Sequence, residues 1–266
     1  MTAAVSPPSA SRAGSAAAEA RFRYVLRLAD TSLVLGQRLG EWVGHAPALE
    51  EDLGLANIAL DLIGQARLLL THAGEIEGRG RNEDALAFLR DAPEFCNVSL
   101  AEQPNGDFGQ TIVRQFLLDA WQLELYEALA GSADARLAEI AAKAVKETRY
   151  HLRFSGGWLV RLGDGTAESH ARVQQGLETL WRFTDELLLP DALDEEMAAA
   201  GIAPSLTALR PRWEERVAAV LAEATLDRPA AARYPWHGKR GVHTEHLGHM
   251  LGEMQHLART FRGAVW

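Results

Sequence analysis

From Arg21 to Phe261 apolar residues recur three and four positions apart, and strand-like alternation bounded by turn residues is scarce. A chain patterned this way buries its apolar stripes by packing helix on helix, so the expected fold class is all-α. Helix one is expected from Arg21 to His45, stopping before Pro47, and helix two from Leu49 to Glu77, stopping at Gly78-Arg79-Gly80. A short piece, NEDALAFL, follows. DAPEFCNVSLAEQPNGDF is too broken by Pro, Asn and Gly to be one helix and is expected as a long connection whose Asp107 caps helix three, Phe108 to Ala130. Helix four runs from Asp134 to Leu162, and a fifth opens at Thr166 or Ser169 and stops before Pro190. Leu206 to Ala224 and His243 to Phe261 close the series. Long helices joined by a short turn, a long crossover and another short turn suggest a four-helix bundle of the ferritin-like kind with additional C-terminal helices.

Residues 21–266 are expected to form a single domain. Residues 1–20, rich in Ala, Ser and Pro with neither a basic start nor a continuous apolar segment, are expected to be a disordered tail rather than a signal peptide. An apolar content of 47% is ordinary for a packed core, and no uninterrupted apolar run approaches the roughly 20 residues that span a bilayer. The formal charge of -9 argues against nucleic acid or an anionic membrane as partner. Cys96, the only cysteine, excludes an internal disulfide and a cysteine zinc cluster and fits a cytoplasmic setting.

Function is written in the polar residues that interrupt the apolar stripes. Between Leu53 and Ile63 the only hydrogen-bonding side chains are Asn57 and Asp61, and Gln65 continues their line. A helix apolar on every other side is expected to be buried all round, so that line must find partners inside the protein. Asp119 falls among core positions of helix three, and Asp30, Gln37 and Glu41 share a face of helix one. On helix four the stripe Leu137, Ile140, Ala144, Thr148, His151, Ser155, Trp158 turns His151 inward. Each helix of the bundle thus offers a polar residue to a shared interior. Alone, each is a satisfied core group; together, Glu41, Asp61 and Asp119 would repel one another unless a cation is present or some are protonated. Metal, arginine and lysine are the candidate cations, with Arg38, Lys146 and Arg149 nearest in sequence.

At EWVGHAP (Glu41 to Pro47), DLIGQAR (Asp61 to Arg67), EQPNGDF (Glu102 to Phe108), RYHLRFSGGWLVRLGDGT (Arg149 to Thr166), LWRFTDEL (Leu180 to Leu187) and KRGVHTEHLGHML (Lys239 to Leu251) the chain resembles the structural C subunits of the bacterial phenylacetyl-CoA oxygenases, the ring 1,2-epoxidases. The likeness runs from Phe22 to Trp266. It implies a ferritin-like fold and a noncatalytic subunit that binds and supports a homologous di-iron catalytic subunit in aerobic phenylacetate degradation, with a further small subunit and a reductase as more distant partners. Set against the catalytic pattern of one carboxylate from each of two helices and Glu-x-x-His from each of the others, Glu41 and Asp119 match the lone carboxylates. Asp61 matches the acid of the first Glu-x-x-His, and Gly64 stands where its histidine belongs. Thr148 replaces the acid of the second, while His151 keeps its histidine. The resemblance therefore implies degenerate di-iron positions, no catalytic or metal-binding residue and no cofactor in this chain. The alternative is an autonomous iron-dependent oxygenase built on Glu41, Asp61, Asp119 and His151.

A rival metal site lies in the last helix, where His246, His249, Glu253 and His256 share a face beside His243. HTEH lacks the His-Glu-x-x-His order of zinc hydrolases, and capping and packing explain these residues more economically. GKRG, Gly238 to Gly241, reads as a connector or as a turn touching a CoA phosphate in a partner. Trp158 is expected in the core, and Trp236 and Trp266 at partner contacts.

Overall fold

The computed structural model describes residues 10–230 and 237–264 and is helical throughout; among these residues the only β-type pairing is an isolated bridge between His237 and Val242. Helix α1 (Ala10–Gly40) packs along α2 (Leu49–Glu77), and α4 (Phe108–Leu129) along α5 (Ala135–Gly163). The two hairpins close into a four-helix bundle where α2 meets α5, where α1 reaches α4 through Ser32 Oγ to Tyr126 Oη at 3.2 Å, and where Trp42, in the turn after α1, donates from Nε1 to Thr111 Oγ1 at 3.0 Å. Gly36 lets α1 and α2 approach closely, since a Cβ there would lie 3.2 Å from Ala59 O. One continuous apolar core runs from Ala20 on α1 to Leu251 near the C-terminus.

Local chemistry sets the helix ends. Asp107 caps α4 by accepting from Gln110 N at 2.9 Å, and Asp134 caps α5 by accepting from Leu137 N at 3.1 Å. Gly78, at φ 67°, ends α2 in the left-handed region and donates to Gly74 O. The boundaries depart from the sequence reading in several places, among them the expected last helix, His243 to Phe261, which is split at Gln255. Helix α1 starts at Ala10 rather than Arg21, so the Ala-rich stretch expected as tail is helical from there; residues 1–9 lie outside the described residues. It also ends at Gly40, leaving Glu41 to His45 in a turn. The expected fifth helix is broken into α6 (Ala167–Trp181) and α7 (Asp185–Leu188).

The connection after α3 (Glu83–Phe88) is buried, unlike most loops, so its backbone needs partners inside the protein. Asp30 accepts from Cys96 N at 2.9 Å, Thr31 Oγ1 from Val98 N at 3.3 Å and Glu186 from Ser99 N at 2.7 Å. Asp30 is also paired with the buried guanidinium of Arg90, which takes this acid out of the bundle's central line. Helices α8 (Ala192–Ala199), α9 (Leu206–Glu223), α10 (Glu245–Met254) and α11 (His256–Thr260) follow, with α8 packed on α1, α9 on α4 and α5, and α10 on α1 and the start of this connection.

Candidate functional site

Helix α5 places His151 and Thr148 in the interior as expected, both fully buried, and α4 does the same for Asp119. The other expected positions fall elsewhere. Because α1 stops at Gly40, Glu41 leaves the bundle axis for the surface, where Arg38 Nη1 donates to it at 2.7 Å and Asn105 Nδ2 at 2.9 Å. On α2 the inward positions are Ile58, Leu62, Gln65 and Leu69, so Asn57 is exposed and Asp61 sits at the bundle's edge, its side chain 39% exposed. Gly64 is half-buried, and a Cβ there would meet nothing within 4 Å. Gln65, expected to continue the inward polar line, does face the interior and donates to Glu147 Oε2 at 3.0 Å.

Each acid is therefore met separately. Asp61 Oδ2 lies 3.0 Å from His151 Nε2. Burial pulls the His151 pKa down while the Asp61 contacts pull it up, and the net shift is downward, so a neutral ring donating through Nε2–H is the favoured form. Its Nδ1 and the Thr148 hydroxyl have no hydrogen-bonding partner among the described residues. Asp119 accepts from Gln115 Nε2 and from Ser155 Oγ, each at 2.7 Å. Burial nevertheless pushes it up to about 8, the two donors opposing that rise, so the acid is predominantly neutral at pH 7.

Sequence reasoning missed a second cluster beneath Glu41. Arg38 donates through Nε and Nη2 to Glu102 O, at 3.1 and 2.9 Å. Arg114, fully buried on α4, donates to Gln103 O at 2.5 Å and to Asn105 Oδ1 at 2.6 Å. Burial and the neighbouring Arg38 lower Arg114 to about 9, with Glu41 opposing them. The signal was present: Arg114 is a lone cation inside the apolar stretch TIVRQFLLDAW, as informative as the lone acid Asp119 five residues later. Of the three cations proposed as partners, Arg38 holds Glu41, Arg149 pairs with Glu127 at the surface and Lys146 is exposed.

Iron in such a bundle needs converging carboxylates and imidazoles. Among the described residues no three His, Cys, Asp or Glu side chains converge to hold a metal ion. Around His151 and Asp119 the interior offers two hydroxyls, amides, one imidazole and one uncharged acid, which do not fit a dinuclear iron centre. The C-terminal histidines do not form one either: α10 ends at Met254, and His256 opens a separate helix beyond buried Gln255. In GKRG, Lys239 is buried against Asp194 Oδ2 at 2.7 Å and Leu189 O at 2.8 Å, which makes the turn a structural connector. Trp158 packs against the core; Trp236 and Trp266 lie outside the described residues.

A helical bundle whose interior acids are satisfied by protein donors defines a ferritin-like protein without a convergent set of iron ligands among its described residues. The chain belongs to the family described as phenylacetic acid catabolic protein, whose profile matches residues 5–266. Among the C subunits of 1,2-phenylacetyl-CoA epoxidases, it is 55% identical over 243 residues to that of Escherichia coli, a match covering 91% of this chain and 98% of that protein.

Proposed function

We propose that this chain is a noncatalytic structural subunit of a phenylacetyl-CoA epoxidase, acting in the cytoplasm in aerobic phenylacetate degradation by binding and supporting a homologous di-iron catalytic subunit. The observation that carries this reading is the separate commitment of Glu41 to Arg38 and Asn105, Asp61 to His151, and Asp119 to Ser155 and Gln115. To bind iron, the fold would have to break each of these contacts, ionise Asp119 and still find the missing imidazole. Losing ligands and their supporting contacts costs orders of magnitude in metal affinity.

The test is metal analysis of each chain after co-purification with the catalytic subunit and separation. Iron is expected in the catalytic chain and at well under one equivalent here, and the catalytic chain alone is expected to be unstable or inactive. About two tightly held irons per chain would instead establish the autonomous iron-dependent oxygenase.

A further inference from the structure

The histidine beside the C-terminal cluster that holds no metal has a setting of its own. The His243 ring is 4% exposed, and both of its nitrogens face acceptors: Nδ1 lies 2.7 Å from Glu102 Oε2 and Nε2 2.8 Å from Phe95 O. A neutral imidazole carries one N–H, so only the doubly protonated ring can donate to both. Glu102 is not the source of the second proton. Its Oε2 already accepts from Asn97 Nδ2 at 2.8 Å, and its Oε1 from Thr244 N at 2.7 Å and Thr244 Oγ1 at 2.9 Å, the pattern of an ionised carboxylate. The other charged groups nearby leave this pair to itself. Glu186 on α7 is held by Ser99 N and Lys239 N, and Glu245 is exposed. Arg38 donates to the backbone carbonyls of Glu102 and His246, Arg90 is committed to Asp30 and the Lys239 ammonium to Asp194. Among the described residues the His243 ring is therefore the counter-charge of the buried Glu102. Burial works against that charge, but Glu102, the Phe95 carbonyl and Glu186 outweigh it and set the ring's pKa above its ordinary value.

What the pair holds is the start of α10. Thr244 is that helix's N-cap, and its N–H and hydroxyl both end on Glu102, in the buried connection after α3. The preceding turn lies flush on the same connection: a Cβ at Gly238 would stand 2.5 Å from Asn97 O, and one at Gly241, at φ 80°, would run into Pro93 O. Little apolar burial backs these contacts. Helix α10 buries Leu247, Met250 and Leu251, and no residue of α11 is fully buried. The far end hangs on Gln255 Nε2, which donates to Ala87 O and Arg90 O and does not titrate. A segment held by few apolar contacts opens on its own while the rest of the chain stays folded.

We propose that residues 238–251 form a strap over the connection after α3, latched at its start by doubly protonated His243 on Glu102 and released there when the ring loses its second proton, while the four-helix bundle stays folded. A ring whose folded pKa lies above the unfolded ~6.5 contributes stability that is fully present below that value and is lost as pH rises through the folded one. The latch is therefore closed in mildly acidic solution and opens on the alkaline side.

Two measurements on the full chain test it. Long-range proton–nitrogen NMR of the His243 ring, assigned from its own backbone resonances, is expected to show both nitrogens protonated at about pH 7, where an ordinary imidazole is mostly neutral. A single-proton tautomer there would overturn the latch. Hydrogen exchange from about pH 6 to 9, corrected for the intrinsic rate, is expected to show the protection of residues 244–251 falling by up to about tenfold per pH unit above ~6.5 while α5 stays protected. In His243→Gln that protection is expected to be low and free of this pH dependence. The same pH profile in the variant as in the unmodified chain, or no pH dependence in either, would overturn the role of the ring. Loss of protection in α5 in step with 244–251 would make the ring a support of the whole fold and overturn the strap. Should His243→Gln not fold by circular dichroism, the NMR pattern and the unmodified chain's exchange profile decide the question between them.

Discussion

Among single residues, the interior is defined by how each polar group loses or keeps its charge. Asp119 is the extreme case, since its two hydrogen-bond donors do not offset burial. An acid whose folded pKa is raised to about 8 binds a proton in the folded state that the unfolded chain, titrating near ~3.9, has released. Its contribution to stability is fully present below the unfolded value and is lost as pH rises toward 8. Urea denaturation from pH 5 to 8 should therefore show the unmodified chain losing stability relative to Asp119→Asn, by up to about 1.4 kcal/mol per pH unit. Parallel curves would show that Asp119 stays ionised. The inward placement of Asp119, Thr148 and His151 was legible because each sits on an unambiguous apolar stripe. Glu41 and Gly64 were not, because a helix end and a small axial rotation decide where they point, and neither leaves a mark in residue spacing.

Among the helices, the cap of α4 was legible at Asp107, and Asn82 and Asp134 cap α3 and α5 in the same way. Asp134 also lies 2.9 Å from His72 Nε2 on α2, tying the start of one bundle helix to the side of another. Burial alone would push Asp134 up, but the His72 contact and the Leu137 N–H bond outweigh it and hold the carboxyl below its ordinary value. The stability this supplies is present above the unfolded carboxyl pKa and is lost as pH falls through the lower, folded one. Asp134→Ala should cost about 1–2 kcal/mol at pH 7 and much less under strongly acidic conditions, measured by thermal melting at each pH. Helix α2 shows what pattern alone leaves undecided. A stripe that packs into the core and one that stays exposed have the same composition and nearly the same spacing, so Leu53 and Leu60, exposed in the fold, looked as internal as the buried Leu55 and Leu62.

Across the full chain, buried polar links hold the C-terminal third to the bundle. Arg27 on α1 meets Asp194 Oδ1 at 2.8 Å and Asp191 Oδ2 at 2.9 Å at the start of α8, and Lys239 reaches the other oxygen of Asp194. Nearby, Glu102 in the crossover lies 2.7 Å from His243 Nδ1 and accepts from Thr244 N. Burial pulls His243 down, but the Glu102 contacts and the Phe95 carbonyl outweigh it, giving a net upward shift. Helix α9 and the stretch that holds α10 and α11 were legible in the apolar periodicity, and α8 was missed; these links were not legible, because Arg27, Asp194 and Lys239 are far apart in the chain and each looks solvated on its own. Removing one member of a buried charged cluster leaves its partners unpaired in a low-dielectric site, whereas replacing a pair with apolar groups removes the need for pairing. Asp194→Ala should therefore destabilise the chain by about 3–5 kcal/mol, seen as a lower urea midpoint at unchanged m-value. Asp194→Leu combined with Lys239→Met should cost less than that single change, because Arg27 keeps Asp191 and no ammonium is left unpaired. A double variant as unstable as the sum of its parts would mean that the cluster acts through side-chain shape rather than charge.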